Sequence, residues 1–247
     1  LEQAQKHPER RELLERFLER AEPRCRYWSE QITTTGERLL EKLEARDEPP
    51  ATFRAWVVGC STGEEAYSVA IVLSELLDAN ATSISIFATD VDADSILQAR
   101  SGFYAENALK EMPEALRERY FEPHGDKYRV VKSLRDTIVF SVHDVTRDPP
   151  FSKMDLVSCR NLLIYFNQEL QHRVLRYITF SLKISGFLFL GSSETLSDHQ
   201  EAYANVHREK KIFKKITGPE YKTRGIFDGA RPRNPESMAT HTKPTAK

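Results

Sequence analysis

The stretch that decides the fold reads Phe53-Arg54-Ala55-Trp56-Val57-Val58-Gly59-Cys60-Ser61-Thr62-Gly63, followed by Glu64-Glu65-Ala66-Tyr67-Ser68. Its mostly apolar beginning is typical of a strand buried on both faces. The small residues predict a tight turn, and a helical pattern then continues to about Leu77. A second strand over 83–90 and a second helix through Ile96 to Arg100 repeat this order. Strand and helix alternating at this rhythm predict right-handed crossovers and a parallel sheet.

Further along the chain, the alternation of strand and helix is interrupted and then resumes. Between residues 103 and 150 we predict a helical piece over Leu109–Phe121 and two β-rich runs, Tyr128–Val131 and Thr137–Val142, which are close enough to pair as a hairpin. The α/β pattern then returns with a strand over Met154–Cys159, a helix from about Gln168 to Leu182 with Asn167 as its N-cap, a buried strand over Gly186–Gly191 and a last edge strand over Lys211–Ile216.

Three regions differ in composition. Residues 1–50 carry apolar side chains at helical spacing among Glu and Arg, and Pro49-Pro50 closes this helical N-terminal segment. Residues 51–217 hold the α/β pattern and form the predicted main domain. From residue 218 to residue 247, the content of Pro, Gly, Thr and Arg predicts a loose C-terminal tail.

Composition narrows the class of protein. Of the 247 residues, 40% are hydrophobic and 30% are charged, which is enough for a buried core. The net charge of −1 excludes a dominantly basic nucleic-acid binder. No apolar run reaches the roughly 20 residues of a membrane-spanning helix, and Leu1–Lys6 is not a signal peptide, so we expect no membrane insertion. Three widely spaced cysteines form neither a disulfide framework nor a metal site, and we expect a reducing, cytoplasmic location.

Polar residues follow each predicted strand at the carboxyl edge of the sheet, where open parallel sheets bind their ligands. These groups are Gly59–Glu65, Asp90–Asp92, His143-Asp144, Arg160-Asn161 and Ser192-Ser193-Glu194. Acids prevail among them, which suits a ligand with hydroxyl groups and a positive centre. A polyphosphate would instead require Lys and Arg around the same edge.

The loop Gly59–Gly63 has three interpretations. Its Gly-x-Ser-x-Gly spacing matches the nucleophile elbow of serine hydrolases, with Ser61 at the apex. It also matches a turn that brings a ligand close to backbone N–H groups at a helix N-terminus, and a purely structural glycine turn is the third interpretation. Because Glu64 and Glu65 would repel the oxyanion that a hydrolase stabilises, the ligand-binding turn is favoured.

Asp90 ends the second predicted strand. It lies about 27 residues after Gly63, near the spacing of about 20 residues at which nucleotide-binding sheets place an acid on ribose hydroxyls. The alternative is a helix cap, since Asp90, Asp92 and Asp94 all precede the next predicted helix.

Four motifs together resemble the successive signatures of the CheR-type chemotaxis receptor methyltransferases. They are Gly59–Ser68, Ala88-Thr89-Asp90-Val91-Asp92, Cys159-Arg160-Asn161-Leu162-Leu163-Ile164-Tyr165-Phe166 and Leu188-Phe189-Leu190-Gly191-Ser192-Ser193-Glu194. The resemblance implies an S-adenosylmethionine-dependent enzyme that forms γ-methyl esters of glutamate on chemoreceptors or related signalling proteins. It also implies an α/β, class I methyltransferase-like (Rossmann-like) fold, with helices on both faces of a mostly parallel sheet and a small inserted β-subdomain over 103–142.

The resemblance also implies roles for individual residues. The expected catalytic residues are Arg160, which would orient the substrate carboxylate, and Tyr165, which would line the acceptor pocket. The expected cofactor-binding residues are Ser61, Thr62, Glu65, Asp90, Asp144, Val145, Arg160 and Asn161. Alternatives are a salt bridge of Arg160 to Glu194 or Asp155, and core packing of Tyr165.

Methyl transfer from a sulfonium to a carboxylate joins a cation and an anion. A glutamate carboxylate, with a pKa near 4.3, is already deprotonated at neutral pH, so no general base is required. Positioning alone contributes about 7–11 kcal/mol to such reactions. We therefore expect neither a catalytic triad nor a metal ion.

One departure from the family pattern keeps a different class of function open. The family carries an aromatic-aromatic-arginine motif before its first strand, whereas the stretch here is Ile32-Thr33-Thr34-Thr35-Gly36-Glu37-Arg38-Leu39-Leu40. One alternative is therefore a cofactor-binding regulatory or scaffold module without methyl transfer, and another is a serine hydrolase using Ser61. A docking peptide at the β-subdomain, on the edge formed by Thr137–Val142, is a further expectation.

Overall fold

The computed structural model describes residues 52–77, 82–110, 112, 114–208 and 211–216. The predictions for the N-terminal segment, 1–50, and for the tail, 218–247, lie outside the described residues.

Strands and helices alternate through the first half of the described chain. In order they are β1 (Thr52–Val58), α1 (Glu64–Leu76), β2 (Ser83–Asp90), α2 (Ala93–Ser101), β3 (Phe103–Ala105), α3 (Glu114–Tyr120), β4 (Phe121–His124), β5 (Lys127–Val130) and α4 (Lys132–Arg135). The second half contains β6 (Ile138–Val142), β7 (Met154–Cys159), α5 (Gln168–Ser181), β8 (Leu182–Leu190), β9 (Tyr203–His207) and β10 (Ile212–Lys215). Short 3₁₀ turns lie at Glu106–Leu109, Leu163–Tyr165 and Ser197–Ala202.

The main sheet is mostly parallel, as predicted. Within the described residues it has the strand order β6-β2-β1-β7-β8-β10-β9, in which β10 alone runs in the direction opposite to the other strands. The register aligns the ends of the central strands, because Val58 lies opposite both Thr89 and Cys159, and Cys159 lies opposite Leu190. The loops that follow these strands therefore emerge side by side.

Both faces of the main sheet are covered by helices, which confirms the predicted fold class. On β1, Phe53, Ala55 and Val57 pack into the core beneath α1 and α2. Trp56 and Val58 face the opposite way and pack into the core beneath α5. Burial on both faces explains why β1 reads as a nearly continuous apolar run instead of an alternating one.

The predicted hairpin between Tyr128–Val131 and Thr137–Val142 is wrong. The first run forms β5, which lies between β3 and β4 in a separate three-stranded antiparallel sheet. The second run forms β6, which pairs in parallel with β2 at the edge of the main sheet. The physical reason is burial: when β6 pairs with β2, its residues Ile138 and Phe140 enter the main core, which provides more apolar contact than a small hairpin.

The prediction of Lys211–Ile216 as an edge strand is also wrong. β10 lies between β8 and β9, so β9 forms the edge of the part of the sheet that the structure describes. Asn167 is confirmed as the N-cap of α5, since its side chain accepts a hydrogen bond from Leu170 N. At the other end, α5 passes directly into β8, and the buried Lys215 Nζ donates to Thr179 O and Leu182 O at 2.6 and 2.8 Å.

Candidate functional site

The loops that follow β1, β2, β6, β7 and β8 meet at the carboxyl edge of the main sheet. Cys60 N donates to Thr89 O at 2.9 Å, which joins the first two loops. His143 N donates to Asp90 O at 2.9 Å, which brings the loop after β6 to the same place. The structure thus brings together the groups of residues that the sequence placed after separate strands.

The first loop, Gly59–Glu65, is a tight turn into α1. Gly59, Ser61 and Gly63 all have positive φ angles, and Gly63 is the N-cap of α1. A Cβ atom on Gly63 would lie 2.8 Å from Ala99 Cβ, closer than carbon atoms pack. Glycine at this position therefore allows the helix N-terminus to approach α2.

Asp90 binds the first loop and does not cap the helix that follows it. Its Oδ2 accepts from Ser61 N at 2.8 Å and its Oδ1 from Asp92 N at 3.0 Å. Asp92 is the cap of α2, with its carboxylate accepting from Asp94 N and Ser95 N. A carboxylate at Ser61 N also argues against the serine hydrolase, because it would repel an oxyanion there.

Glu65 and Arg160 lie together between the loops after β1 and β7. Their side chains form an ion pair at 3.8 Å, and Ser158 Oγ donates to Glu65 Oε1 at 2.5 Å. Burial raises the pKa of the Glu65 carboxyl, and Arg160 and Ser158 partly oppose this. The alternative partner Asp155 lies at the start of β7, where its carboxylate binds Lys183 Nζ at 2.7 Å.

Glu194 joins the loops after β7 and β8. Its side chain is buried, with Oε1 accepting from Leu162 N and Leu163 N at 2.9 and 2.8 Å and Oε2 accepting from Gly191 N at 2.5 Å. The sequence placed Glu194 in a motif but gave no role for it beyond a possible partner of Arg160.

Tyr104 was not predicted as a site residue. It belongs to β3 of the small sheet, and its hydroxyl donates to Thr62 O at 2.8 Å. Thr62 Oγ1 in turn donates to the Glu64 carboxylate. The inserted sheet therefore contacts the backbone of the first loop directly, which local sequence patterns do not reveal.

The remaining predicted residues differ in how they face the site. Asp144 Oδ1 accepts from Thr146 N and Thr146 Oγ1, so this carboxylate stabilises its own turn. Val145 is buried and packs in the core on the α5 side. Asn161 is exposed and has a φ of 56°. Tyr165 is 78% exposed, so the alternative of core packing for Tyr165 is wrong.

Among the described residues, no group of three or more His, Cys, Asp or Glu side chains is arranged to hold a metal ion. In the same part of the chain, no helix combines the length and apolar character needed to cross a bilayer.

Comparison with known proteins gives one family. The family model described as "CheR methyltransferase, SAM binding domain" matches residues 25–212. A putative methyltransferase, Cher3, of Pseudomonas putida is 38% identical over 177 residues, covering 66% of this chain and 63% of that protein. The chemotaxis protein methyltransferase of Escherichia coli is 36% identical over 154 residues, covering 59% of this chain and 53% of that protein.

One further curated protein and one solved structure are also similar to this chain. An uncharacterised 104.1 kDa protein of Rhodobacter capsulatus is 38% identical over 183 residues, covering 73% of this chain but 19% of that protein. The chain thus spans less than two thirds of the length of each of these curated relatives. A TehB-like methyltransferase structure from Corynebacterium glutamicum is 14% identical, with a TM-score of 0.41, covering 74% of this chain and 88% of that one.

Proposed function

The chain belongs to the CheR methyltransferase family, and on this premise we propose that it transfers a methyl group from S-adenosylmethionine to glutamate side chains of chemoreceptors or related signalling proteins. The matched region is the family's S-adenosylmethionine-binding domain. Relatives named chemotaxis protein methyltransferases support the choice of acceptor. A cytoplasmic location is part of the same proposal.

The observation that carries the proposal is the position of Asp90 beside the first loop. Each of its carboxylate oxygens accepts one backbone N–H, from Ser61 and Asp92, and each has room for a further donor. Two adjacent ribose hydroxyls supply such donors. The residues present therefore fit a nucleoside cofactor, with Asp90 holding the ribose.

The other predicted residues are proposed to contact the remaining parts of the cofactor. In this proposal, Ser61, Thr62 and Glu65 lie at the amino-acid end together with Arg160 and Asn161. Asp144 and Val145 lie toward the adenine, and because the Val145 side chain is buried in the core, its backbone makes that contact.

S-adenosylmethionine, when bound, supplies a methyl group activated by a sulfonium. The chain's own residues have to align the acceptor carboxylate and exclude water from it, because a glutamate carboxylate needs no base at neutral pH. Arg160 suits this orientation, since its forked donors match carboxylate geometry and its side chain is held beside Glu65. Tyr165, exposed on the 3₁₀ turn after β7, would contact the acceptor protein.

Isothermal titration with S-adenosylmethionine and with its demethylated product tests cofactor binding. We expect Asp90→Ala to weaken binding about tenfold or more, since hydrogen bonds to a charged group are lost. Asp92→Ala is the matched control: it removes a neighbouring carboxylate that caps α2 and should leave affinity nearly unchanged. Absence of binding by the wild type, or equal affinity in the Asp90 variant, would defeat the proposal.

A cofactor-binding scaffold without methyl transfer is the second candidate, favoured by the altered stretch Ile32–Leu40. Transfer of tritiated methyl groups to chemoreceptor fragments separates the two functions. Base-labile label on the receptor supports the enzyme, whereas cofactor binding with no transfer to any signalling partner supports the scaffold.

A docking peptide at the inserted sheet also remains a proposal. In the described chain, β3 and β4 are the edge strands of that sheet, and an extended peptide pairs with such an edge through main-chain hydrogen bonds. β6, by contrast, is an edge of the main sheet, and Arg100 already donates to its Phe140 O at 2.7 Å.

A further inference from the structure

One buried carboxylate connects the two loops on the Arg160 side of the site. Glu194 is only 3% exposed, and its two oxygens accept three backbone N–H groups, from Leu162, Leu163 and Gly191. Carboxylate bonds to backbone N–H groups in a buried setting are stronger than neutral ones, and leaving such donors without acceptors is costly.

These bonds fix the far end of the segment that carries Arg160 and Asn161. Cys159, immediately before the segment, is held by strand pairing with Val58 and Leu190. Leu162 and Leu163, immediately after it, are held by Glu194. Between these two anchors, Asn161 has a φ of 56°, in the left-handed region where asparagine is more common than most other residues with side chains.

The loop after β8 fits closely against the same segment. A Cβ atom on Gly191 would lie 2.8 Å from Asn161 Oδ1 and 2.8 Å from Glu194 Oε2. The same Cβ atom would lie 3.0 Å from the backbone Asn161 N, so a larger residue at 191 requires the Asn161 and Glu194 side chains to shift and crowds the backbone of the facing loop.

We infer that Glu194 is a positioning residue, which sets the backbone of Arg160 and Asn161 for the amino-acid end of the cofactor. The inference rests on the proposed function and adds to it a residue that does not touch the cofactor. The charge of Glu194 also acts on the site, because it contributes to the raised pKa of Glu65.

Two substitutions disturb this arrangement from opposite sides. Glu194→Gln keeps the shape of the side chain, but its amide group would direct N–H donors at one of the backbone N–H groups that the carboxylate now accepts. Gly191→Ala keeps the carboxylate but places a Cβ atom 2.8 Å from Glu194 Oε2 and from Asn161 Oδ1, which displaces these two side chains. Each should weaken binding of the demethylated cofactor about tenfold and lower kcat. Because Arg160 is also proposed to orient the acceptor carboxylate, KM for the acceptor protein should rise, which a mere loss of folded protein would not cause.

The matched control is Asp155→Asn. Asp155 is also a buried carboxylate, at the opposite end of β7, where it accepts from Arg54 N and pairs with Lys183. Its replacement should lower stability but leave cofactor affinity within about threefold of the wild type. All titrations are made well below each variant's melting temperature, so that loss of folded protein does not contribute.

The outcomes separate this inference from the function on which it rests. Weak binding by both loop variants, with the control unchanged, supports the positioning role. Wild-type affinity in Glu194→Gln, or in Gly191→Ala should the first variant not fold, overturns the role and leaves the methyltransferase proposal intact. Failure of the wild type to bind the cofactor overturns the proposed function itself.

Discussion

On one side of the candidate site, the loop Gly59–Glu65 is held by contacts from several separate elements; on the other side, two loops share the single carboxylate of Glu194. The first loop is bound by Asp90 from β2 and by Tyr104 from the inserted sheet. A neutral bond such as that of Tyr104 typically contributes about 1 kcal/mol, and a bond to a carboxylate such as that of Asp90 about 1.5–3 kcal/mol. On the second side, Gln171 Nε2 also donates to Leu163 O and Phe166 O, but these bonds hold only the loop after β7. We therefore expect the first side to tolerate loss of one contact better than the second side tolerates loss of Glu194.

Glu194→Ala should produce the largest loss of stability. It leaves the N–H groups of Leu162, Leu163 and Gly191 without their acceptor, and we expect the free energy of unfolding to fall by about 3 kcal/mol or more. Urea denaturation measures this change. Glu201→Ala, at an exposed position nearby, should stay within about 0.5 kcal/mol. If Glu194→Ala lowers the free energy of unfolding by less than about 1 kcal/mol, the two sides of the site do not differ in how they are held.

Gly63→Ala should cost about 2 kcal/mol, because it combines an unfavourable φ of 94° with a Cβ atom 2.8 Å from Ala99 Cβ. Gly125→Ala separates the cost of the positive φ from the cost of close packing. Gly125 also has a positive φ, of 64°, but a Cβ atom there would have no neighbour within 4 Å. We expect about half the loss for Gly125→Ala by the same urea measurement. Equal losses would show that close packing of the first loop against α2 contributes nothing.

Tyr104→Phe should lower stability by about 1 kcal/mol, since it removes only the hydrogen bond to Thr62 O. Tyr128→Phe is a control on the neighbouring strand, because Tyr128 lies opposite Tyr104 in the small sheet. Cofactor titration should show a modest loss of affinity for Tyr104→Phe alone. If both variants bind the cofactor equally well, the inserted sheet does not support the first loop.

The smallest effect concerns pH and the Glu65 carboxyl. Its pKa in the folded protein is raised above the ordinary value of 4.5, so the folded state holds this proton more tightly than the unfolded state does. Stability from this group is therefore present at low pH and is lost as pH rises from about 4.5 through the folded pKa. Denaturation of the wild type and Glu65→Gln over that window should show a steeper decline for the wild type; a shallower one would contradict the burial of this carboxyl.

Much of the fold follows from local patterns, because apolar runs and small-residue turns identify β1, β2, β7 and α1. The pairing of β6 with β2 does not follow from local patterns. A short β-rich run can form hydrogen bonds with β5 or with β2, and only packing in the core determines which strand it pairs with. β9 escaped prediction for a related reason: Tyr203–His207 has a weak alternation and gains its place by pairing with β10.

In the candidate site too, some residues could be identified from the sequence and others only from the structure. Asp90, Glu65 and Arg160 are visible in the sequence because each follows or adjoins a predicted strand end. The bonds of Tyr104 to Thr62 and of Glu194 to Leu162 join residues 42 and 32 positions apart, across different elements. No local pattern encodes such partners, so these supporting residues required the folded structure.

The direct passage of α5 into β8 has a consequence for how the protein is made. The carbonyls of Thr179 and Leu182 receive their donor from Lys215, on the last described strand. Because synthesis proceeds from the N-terminus and domains fold as they emerge, Lys215 becomes available to these two carbonyls only after the residues of the candidate site have left the ribosome. The C-terminal end of α5 is therefore the last part of this region to gain its hydrogen-bond donor.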